Sequence, residues 1–228
     1  MTYELSDTRM KTRKVIYTII IGKGYTLRDP AVKTDGWDHI CFTDQPLTSS
    51  VWEIERVKVP KHLTNRKFVK HLKILGEKHL PGYGVSFYLP SKYVLRVNLN
   101  EYVGKHLTSE YDVVMNRGRY KDRDCLYDAA RRCIRKRMDD PKVIKRQIAR
   151  YRKEGFPENF GRGGFLIFIR RHGVDEVQTF MREWFNEVLH GSSRDLLSFS
   201  YVLWKHPMRI NFLDFQKTYN LFEQRATR

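Results

Sequence analysis

The feature that most constrains this chain is an alternation of short apolar runs with longer amphipathic segments. The first run, residues 13–21, is rich in Val, Ile, Tyr and Thr and ends at Gly22 and Gly24. That composition is typical of a buried strand followed by a glycine-containing loop. Alternating strands and helices favour a single α/β domain with a mostly parallel sheet covered by helices. Such sheets bind ligands beyond the carboxyl ends of their strands.

The order of the remaining elements follows from the same patterns. Further strands are expected at residues 37–43, 51–59, 85–89, 112–115 and 165–169. Helices are expected at residues 63–78, 126–138, 141–155, 174–189 and 194–205, where apolar side chains recur at helical spacing. Asp139, Asp140 and Pro141 supply the capping residues and the first-turn proline with which the third of these helices begins.

Length, hydrophobicity and cysteine content fit one folded domain. Of the 228 residues, 41% are hydrophobic, which suffices for a sizeable core. No apolar run approaches the roughly 20 residues that cross a bilayer, and the polar residues 1–14 do not resemble a signal peptide. We therefore expect a cytoplasmic protein without a transmembrane segment, in the host cytoplasm if it is viral. The three scattered cysteines show no zinc-binding spacing.

The predicted organisation has three parts. A polar tail is expected at residues 1–12, a folded domain at 13–206 with a basic helical region at 117–153, and a C-terminal extension at 207–228.

The strongly positive charge predicts an acidic partner. The formal net charge is +17, and residues 117–153 alone contain 15 lysines or arginines against 5 aspartates. This excess is larger than solubility requires and suits phosphate recognition. DNA is the favoured partner, although RNA, an acidic polysaccharide or an anionic lipid surface would match the same charge. The predicted phosphate contacts are Arg123, Arg131, Arg132, Arg135, Arg137 and Arg194.

Several short phrases along the chain occur in a shared order and spacing that chance does not explain. They are Val15-Ile16-Tyr17-Thr18 with Tyr25 and Pro30; Trp37-Asp38 with Cys41-Phe42-Thr43-Asp44; Trp52-Glu53-Ile54; Arg123-Asp124-Cys125-Leu126-Tyr127; Gln147 with Arg150-Tyr151; Glu154-Gly155-Phe156-Pro157; Arg170-Arg171-His172; and Arg194-Asp195 through Leu197-Ser198-Phe199 to Tyr201-Val202-Leu203-Trp204-Lys205. Over roughly residues 14–205 they resemble the glycosyltransferase-like domain of plant mucilage-synthesis and pollen-turgor proteins, which also occurs in many bacterial and viral proteins.

The resemblance implies a GT-A-like (Rossmann-like) fold that binds a nucleotide-diphosphate sugar over the first strands, with the acceptor above the sheet. A uridine-diphosphate sugar is the favoured donor. In the family's Arg, Lys, Pro-His helix motif this chain retains the lysine as Lys73, after Lys70, whereas Gly76-Glu77 replaces Pro-His. The glutamine that follows the family's late Arg-Asp is here Leu196.

A second departure concerns the metal. Where the family has an acidic motif of Asp-Gly and a small polar residue, this chain has Leu89-Pro90-Ser91-Lys92, so the metal-binding aspartate is missing. We expect Lys92 to stabilise the departing phosphate in place of Mg²⁺ or Mn²⁺. The alternatives are an inactive site and a metal bound by other residues.

Other donor contacts are predicted at strand ends. Tyr17, Thr18 and Tyr25 flank the first loop, where they either bind the nucleotide base or are buried as strand residues. Asp44, at a strand tip, either accepts a hydrogen bond from the nucleotide or closes a turn. Arg170 and His172 follow a buried strand, where a guanidinium suits a phosphate clamp. His172 has no second metal ligand nearby in the sequence.

Two carboxylates are candidates for the acceptor base or a sugar-binding group. Asp195 begins a helix inside a matched phrase, and Asp124 follows Arg123 at the start of another helix. For each, the alternative is a helix cap.

The favoured function is therefore transfer of a sugar from a nucleotide-diphosphate donor to a hydroxyl group on a polyanion, with a hydroxylated base of nucleic acid as the favoured acceptor. Nucleic acid is preferred because the short chain lacks the membrane anchor expected of a polysaccharide-building relative. One alternative is a catalytically inactive module that binds nucleic acid. Another is a polysaccharide glycosyltransferase at the cytosolic membrane face.

Overall fold

The computed structural model describes residues 12–117, 125–161, 163–214, 218 and 222–224. The strands in this part of the chain are β1 (Lys14–Ile20), β2 (Trp37–Thr43), β3 (Glu53–Arg56), β4 (Val85–Tyr88), β5 (Tyr93–Leu95), β6 (Val113–Arg117), β7 (Gly163–Arg171), β8 (Ile210–Leu213) and β9 (Phe222–Gln224). The α-helices are α1 (Asn65–Ile74), α2 (Leu99–His106), α3 (Leu126–Arg135), α4 (Pro141–Lys153), α5 (Asp175–His190) and α6 (Leu196–Lys205). A 3₁₀ turn, Gly76–His79, follows α1.

Seven strands form the central sheet in the order β3-β2-β1-β4-β7-β6-β8. Neighbouring strands are parallel except where β7 pairs antiparallel with β4 and β6. The carboxyl ends of the parallel strands therefore lie at one edge of the sheet, and β7 alone ends at the opposite edge. Strands β5 and β9 form a separate antiparallel ribbon.

The two faces of the sheet carry separate hydrophobic clusters, because successive strand residues point to opposite sides. Val15, Tyr17 and Ile19 of β1 pack with α1, α5 and α6 on one face. Ile16 and Ile20 pack on the other face with the apolar residues of α2. The basic helices α3 and α4 pack on α6 through a smaller cluster that includes Cys133, Ile144 and Leu197.

The end of α4 is fixed to α5 and α6 by polar and aromatic contacts. Tyr151 donates a hydrogen bond to Glu187 Oε2 at 2.7 Å, and Arg150 pairs with the same carboxylate at 2.5 Å. The rings of Tyr151 and Tyr201 are stacked with their centroids 3.8 Å apart. These contacts attach the basic helix pair to the rest of the domain.

The structure confirms the predicted α/β fold, a single GT-A-like (Rossmann-like) domain with a mostly parallel sheet. The helix predicted at residues 63–78 is shorter and ends at Ile74, followed by the 3₁₀ turn. Strands β5, β8 and β9 and helix α2 were not predicted from the sequence. Strand β8 comes from the predicted C-terminal extension and pairs with β6 at the edge of the central sheet. No helix within the described residues has the length and apolar character that crossing a bilayer requires.

Candidate functional site

The loop after β1 is held at the carboxyl edge of the sheet by the aspartate that follows β2. The backbone N–H of Gly22 donates to both carboxylate oxygens of Asp44, at 3.0 and 3.2 Å. Gly22 has a φ of +79°, a conformation that favours glycine. Asp44 therefore holds the loop that carries Tyr25, whose side chain is 50% exposed.

A buried lysine and aspartate lie on the α1 side of the sheet, beside the end of β4. Lys73 Nζ is 2.7 Å from Asp195 Oδ2, and Lys70 Nζ is 3.1 Å from the same oxygen. The Lys73 ammonium also lies 5.7 Å from the ring centroid of Tyr88, the last residue of β4. Asp195 is the N-cap residue of α6, but its side chain makes no capping hydrogen bond. Its carboxylate is directed instead at the two lysines.

This cluster shifts the pKa values of its members. Burial lowers the pKa of Lys73 to about 8, with Asp195 opposing that shift and Lys70 adding to it. Burial alone would raise the pKa of Asp195, but the charges of Lys70 and Lys73 outweigh it and hold that pKa well below its usual range. Asp195 is consequently ionised at neutral pH, and a carboxylate so stabilised is a weak proton acceptor.

Tyr88 connects the lysine pair to the first loop. Its pKa is raised first by burial and then by its neighbours Tyr17, Asp195 and Tyr25. The Tyr88 hydroxyl therefore lies within the electrostatic influence of groups on β1, on the loop after β1 and at the start of α6. Of these groups Tyr25 is exposed, and Lys70 is 25% exposed in its side chain.

Tyr17 and Arg170, both predicted donor contacts, bond to each other beneath this site. Arg170 Nη2 donates to Tyr17 Oη at 2.8 Å, and the Tyr17 hydroxyl donates to the Lys73 carbonyl at 2.8 Å. Arg170 also donates to the Ile74 carbonyl and, at 3.3 Å, to Ser86 Oγ. Both side chains are fully buried, with exposures of 0% and 1%. Their polar groups fix the carboxyl end of α1, where a cation is favourable.

Gly76 allows Arg170 and Tyr17 to lie close to the end of α1. A Cβ at this position would lie 2.3 Å from Arg170 Nη2 and 2.7 Å from Tyr17 Oη, inside van der Waals contact. Gly76 therefore makes room for a buried arginine.

Two further predicted donor contacts lie away from Tyr88. Thr18 is buried on the α2 face of β1, opposite Tyr17, and its hydroxyl has no hydrogen-bond partner within the described residues. His172 follows β7, so the antiparallel direction of that strand places it at the amino edge of the parallel strands. There its Nε2 lies 2.8 Å from Ser86 Oγ, and burial, followed by Arg170, lowers its pKa to about 4.

Lys92 lies in the turn between β4 and β5, which follows the carboxyl end of β4. Its side chain is exposed, and its Nζ lies 4.9 Å from the ring centroid of Tyr93. The structure thus places Lys92 at the predicted edge of the sheet.

The predicted phosphate contacts around α3 are Arg131, Arg132 and Arg135 of the helix and Arg137 of the turn that follows it. Arg131 forms an ion pair with Asp128, and Arg135 and Arg137 are exposed. Arg132 is half-buried. Arg194 precedes Asp195, and its Nε is buried without a hydrogen-bond partner in the described part of the chain. Arg123 and Asp124 lie outside the described residues.

A contact that the sequence analysis did not predict joins the basic helices to this site. Asp139, in the turn between α3 and α4, accepts hydrogen bonds from Ser192 Oγ at 2.7 Å and from Ser193 N and Oγ at 2.7 and 2.8 Å. The two serines precede Asp195 by two and three residues. The N-cap of α4 is Asp140, whose side chain accepts from Lys142 N, so Asp139 is free of the capping role that its sequence position suggests. No sequence pattern identifies its contact with the two serines.

One cavity, of about 280 Å³, lies at the carboxyl end of α1 and is bordered by Arg170, Gln178 and Met181. Another, of about 600 Å³, is bordered by Tyr102 and Leu213. Within the described residues, no group of three or more His, Cys, Asp or Glu side chains is placed to hold a metal ion.

Comparison with known proteins gives one family. A family model described as TOD1/MUCI70, glycosyltransferase-like domain, matches residues 29–228. The matched region contains α1, the basic helices and Asp195. No relative among curated proteins matches this chain.

Proposed function

Because this chain belongs to the TOD1/MUCI70 family of glycosyltransferase-like domains, we propose that it moves a sugar from a nucleotide-diphosphate donor to a hydroxyl group of a polyanionic acceptor. Family membership supports a glycosyltransferase-type function and the use of a nucleotide sugar. The proposal goes further in two respects: it names a uridine-diphosphate sugar as the donor, and it names the class of acceptor.

The observation that carries the proposal is the pair of lysines in α1, Lys70 and Lys73, which lies beside the end of β4. In sugar transfer the bond between the sugar's anomeric carbon and the diphosphate breaks, and the acceptor oxygen bonds to that carbon while its hydroxyl proton passes to a general base. The diphosphate leaves with increased negative charge, which must be neutralised. Lys70 and Lys73 carry two positive charges against the single negative charge of Asp195. The cluster therefore keeps a net positive charge suited to the departing diphosphate.

In this proposal Lys70 contacts the diphosphate, and the buried Lys73 contributes its charge from behind Lys70. Lys70 is 25% exposed in its side chain, whereas Lys73 is 3% exposed. Asp195 holds both ammonium groups in place and compensates for the cost of burying Lys73. Tyr25 is exposed on the loop that Asp44 holds, and we propose that it stacks on the nucleotide base. Asp124 stays a prediction for the acceptor base.

Lys92 is the second cation of the proposed donor site. It occupies the position of the missing acidic motif and follows the carboxyl end of β4. A lysine there neutralises a phosphate as a point charge without requiring a divalent ion. The proposed transfer therefore continues when metal is removed by a chelator.

The proposed acceptor is nucleic acid with a hydroxylated base. Helices α3 and α4, from residue 126 to 153, contain eleven lysines or arginines and three aspartates. A surface of this charge binds phosphates with release of counterions. In a duplex, the target base would have to be flipped out of the stack to bring its hydroxyl group to the donor.

A donor-consumption assay tests this function. The protein is incubated with a panel of radiolabelled uridine-diphosphate sugars and DNA containing hydroxymethylated bases, in the presence of EDTA. We expect label on the DNA with the wild type and loss of at least about tenfold in rate with Lys92→Ala or Lys70→Ala. The control Lys33→Ala changes an exposed lysine at the other edge of the sheet and should keep full activity. Label that requires Mn²⁺ contradicts the role of the lysines. DNA binding without consumption of any donor indicates the inactive binding module.

A further inference from the structure

The loop that joins α5 to α6 is held by one carboxylate from another part of the fold, that of Asp139 in the α3–α4 turn. Asp139 Oδ2 accepts three hydrogen bonds from Ser192 and Ser193, all between 2.7 and 2.8 Å. Burial alone would raise the pKa of Asp139, but its hydrogen bonds, that from Ser192 foremost, lower that pKa. The hydrogen bonds from the loop therefore favour the ionised form of the Asp139 carboxyl group.

The same loop is held at both of its ends. Ser192 N donates to Gln147 Oε1 of α4 at 3.0 Å. At the other end, Trp184 Nε1 and Ser198 Oγ both donate to the Asp195 carbonyl, at 3.1 Å each. The backbone of residues 192–195 is thus defined by groups from α4, α5, α6 and the α3–α4 turn.

Helix α1 closes this arrangement from the opposite side. Arg66 donates to the Met138 carbonyl at 3.1 Å, next to Asp139, and Lys67 donates to the Leu189 carbonyl at 2.7 Å. Lys70 and Lys73 then contact Asp195. One cationic face of α1 therefore touches the turn of the basic helices, the end of α5 and the start of α6.

We propose that Asp139 is a positioning residue: from the turn of the basic helix pair it fixes the loop that presents Asp195 to Lys70 and Lys73. Asp139 touches neither lysine, so it acts through Ser192, Ser193 and the backbone that leads to Asp195. Insofar as this concerns binding of the donor, it rests on the proposed function. The helices that carry the acceptor surface thereby also support the donor site.

Several groups face the Lys73 ammonium and set its titration. They are Asp195 from the start of α6, Lys70 from α1, Arg170 from β7 and Tyr88 from β4. Asp195 alone among them carries a negative charge at neutral pH and favours the protonated lysine. If the loop loosens, this attraction weakens while burial and the other cations remain, so Lys73 should lose its proton at a lower pH.

Nuclear magnetic resonance on lysine-labelled protein tests this without any donor. The Lys73 side-chain signal, assigned with Lys73→Arg, is titrated in the wild type, in Asp139→Asn and in the control Asp128→Asn. Asp128 is an exposed aspartate of α3 outside the loop contact, so its variant makes the same charge change. We expect a lower titration midpoint in Asp139→Asn and an unchanged one in Asp128→Asn. A folded Asp139→Asn that titrates like the wild type overturns the proposal.

A milder variant covers the case in which Asp139→Asn does not fold. Ser193→Ala removes one of the three donors and keeps the Ser193 N–H, so the Lys73 midpoint should move in the same direction by less. An unchanged midpoint in Ser193→Ala overturns the proposal in that case.

Titration with uridine diphosphate separates this proposal from the proposed function. If the wild type binds the nucleotide, we expect about tenfold weaker binding by Asp139→Asn and full binding by Asp128→Asn. Wild-type protein that binds no nucleotide contradicts the donor site, while the Lys73 titration still decides the role of Asp139.

Discussion

Lys73 and Asp195 form a buried ion pair, with 2.7 Å between Nζ and Oδ2, although 122 residues separate them in the chain. Both side chains are less than one tenth exposed. Burying two charges is costly, and their mutual attraction and the contact with Lys70 offset part of that cost. The stability of the fold and the proposed donor chemistry therefore both depend on this ion pair.

Removing the carboxylate should destabilise the protein. Asp195→Asn leaves the Lys73 ammonium buried without its counter-charge, and we expect a loss of about 3–5 kcal/mol in the free energy of unfolding at pH 7. Urea unfolding measures it. The double variant Asp195→Asn/Lys73→Met should regain part of the loss, because no unpaired charge remains. The exposed Asp128→Asn should stay within about 0.5 kcal/mol of the wild type. A loss below about 1 kcal/mol in Asp195→Asn would contradict the pairing.

Acid should weaken the fold before the carboxylates are protonated. Burial lowers the pKa of His71 and of His172 to about 4, against about 6.5 in the unfolded chain. Between these values the unfolded chain binds more protons than the folded one, so stability falls as the pH decreases from 6.5 to 4. The urea midpoint, measured at half-unit steps, should decrease across this window. In His172→Gln the decrease should be smaller, and an equal decrease would exclude this histidine as a contributor.

Gly76 should not tolerate a side chain. Gly76→Ala places a methyl group against Arg170 Nη2 and Tyr17 Oη, so hydrogen bonds at the end of α1 must break, and we expect a loss of about 2–4 kcal/mol. Gly104→Ala is the matched control, because Gly104 lies in α2 with no atom within 4 Å of the added Cβ. That variant should be unchanged or up to about 1 kcal/mol more stable. Equal effects in a thermal unfolding comparison would show that the close approach at Gly76 is unimportant.

Binding of DNA should depend on the outer surface of α3 and on salt. Reversal of Arg132, Arg135 and Arg137 to glutamate should weaken binding at least about tenfold in fluorescence anisotropy and should flatten its salt dependence. Reversal of the exposed Lys33, Lys78 and Lys105, which lie outside α3 and α4, makes the same charge change elsewhere. If both triple variants lose affinity equally, binding reflects net charge rather than the basic helices.

Local patterns in the sequence predict most elements of the fold. Residues 37–43 form the strand that their β-branched and aromatic composition predicts, and Pro141 begins α4 as expected. The predicted fold class and family are confirmed. Helix α2 is missed because it is short and carries Asn100, Glu101 and Lys105 on its exposed face. Strand β8 has only four residues and depends on pairing with β6, a contact that no local pattern specifies.

The site was less predictable because its geometry depends on distant contacts. The apolar run that becomes β7 predicts a strand but not its direction, and that direction places His172 at the amino edge. Lys73 and Asp195 were identified from the family resemblance, but nothing in the sequence predicts that they would pair. Asp139 looks like an ordinary helix cap, and its contact with Ser192 and Ser193 requires the packing of α4 on α6.

The most direct test of the account is a calorimetric titration of the wild type and of Lys70→Ala with uridine diphosphate in the presence of EDTA. If Lys70 neutralises the diphosphate, the wild type binds measurably without metal, and a folded Lys70→Ala binds at least about tenfold more weakly. Absence of binding by the wild type, or equal affinity of the two proteins, would contradict it.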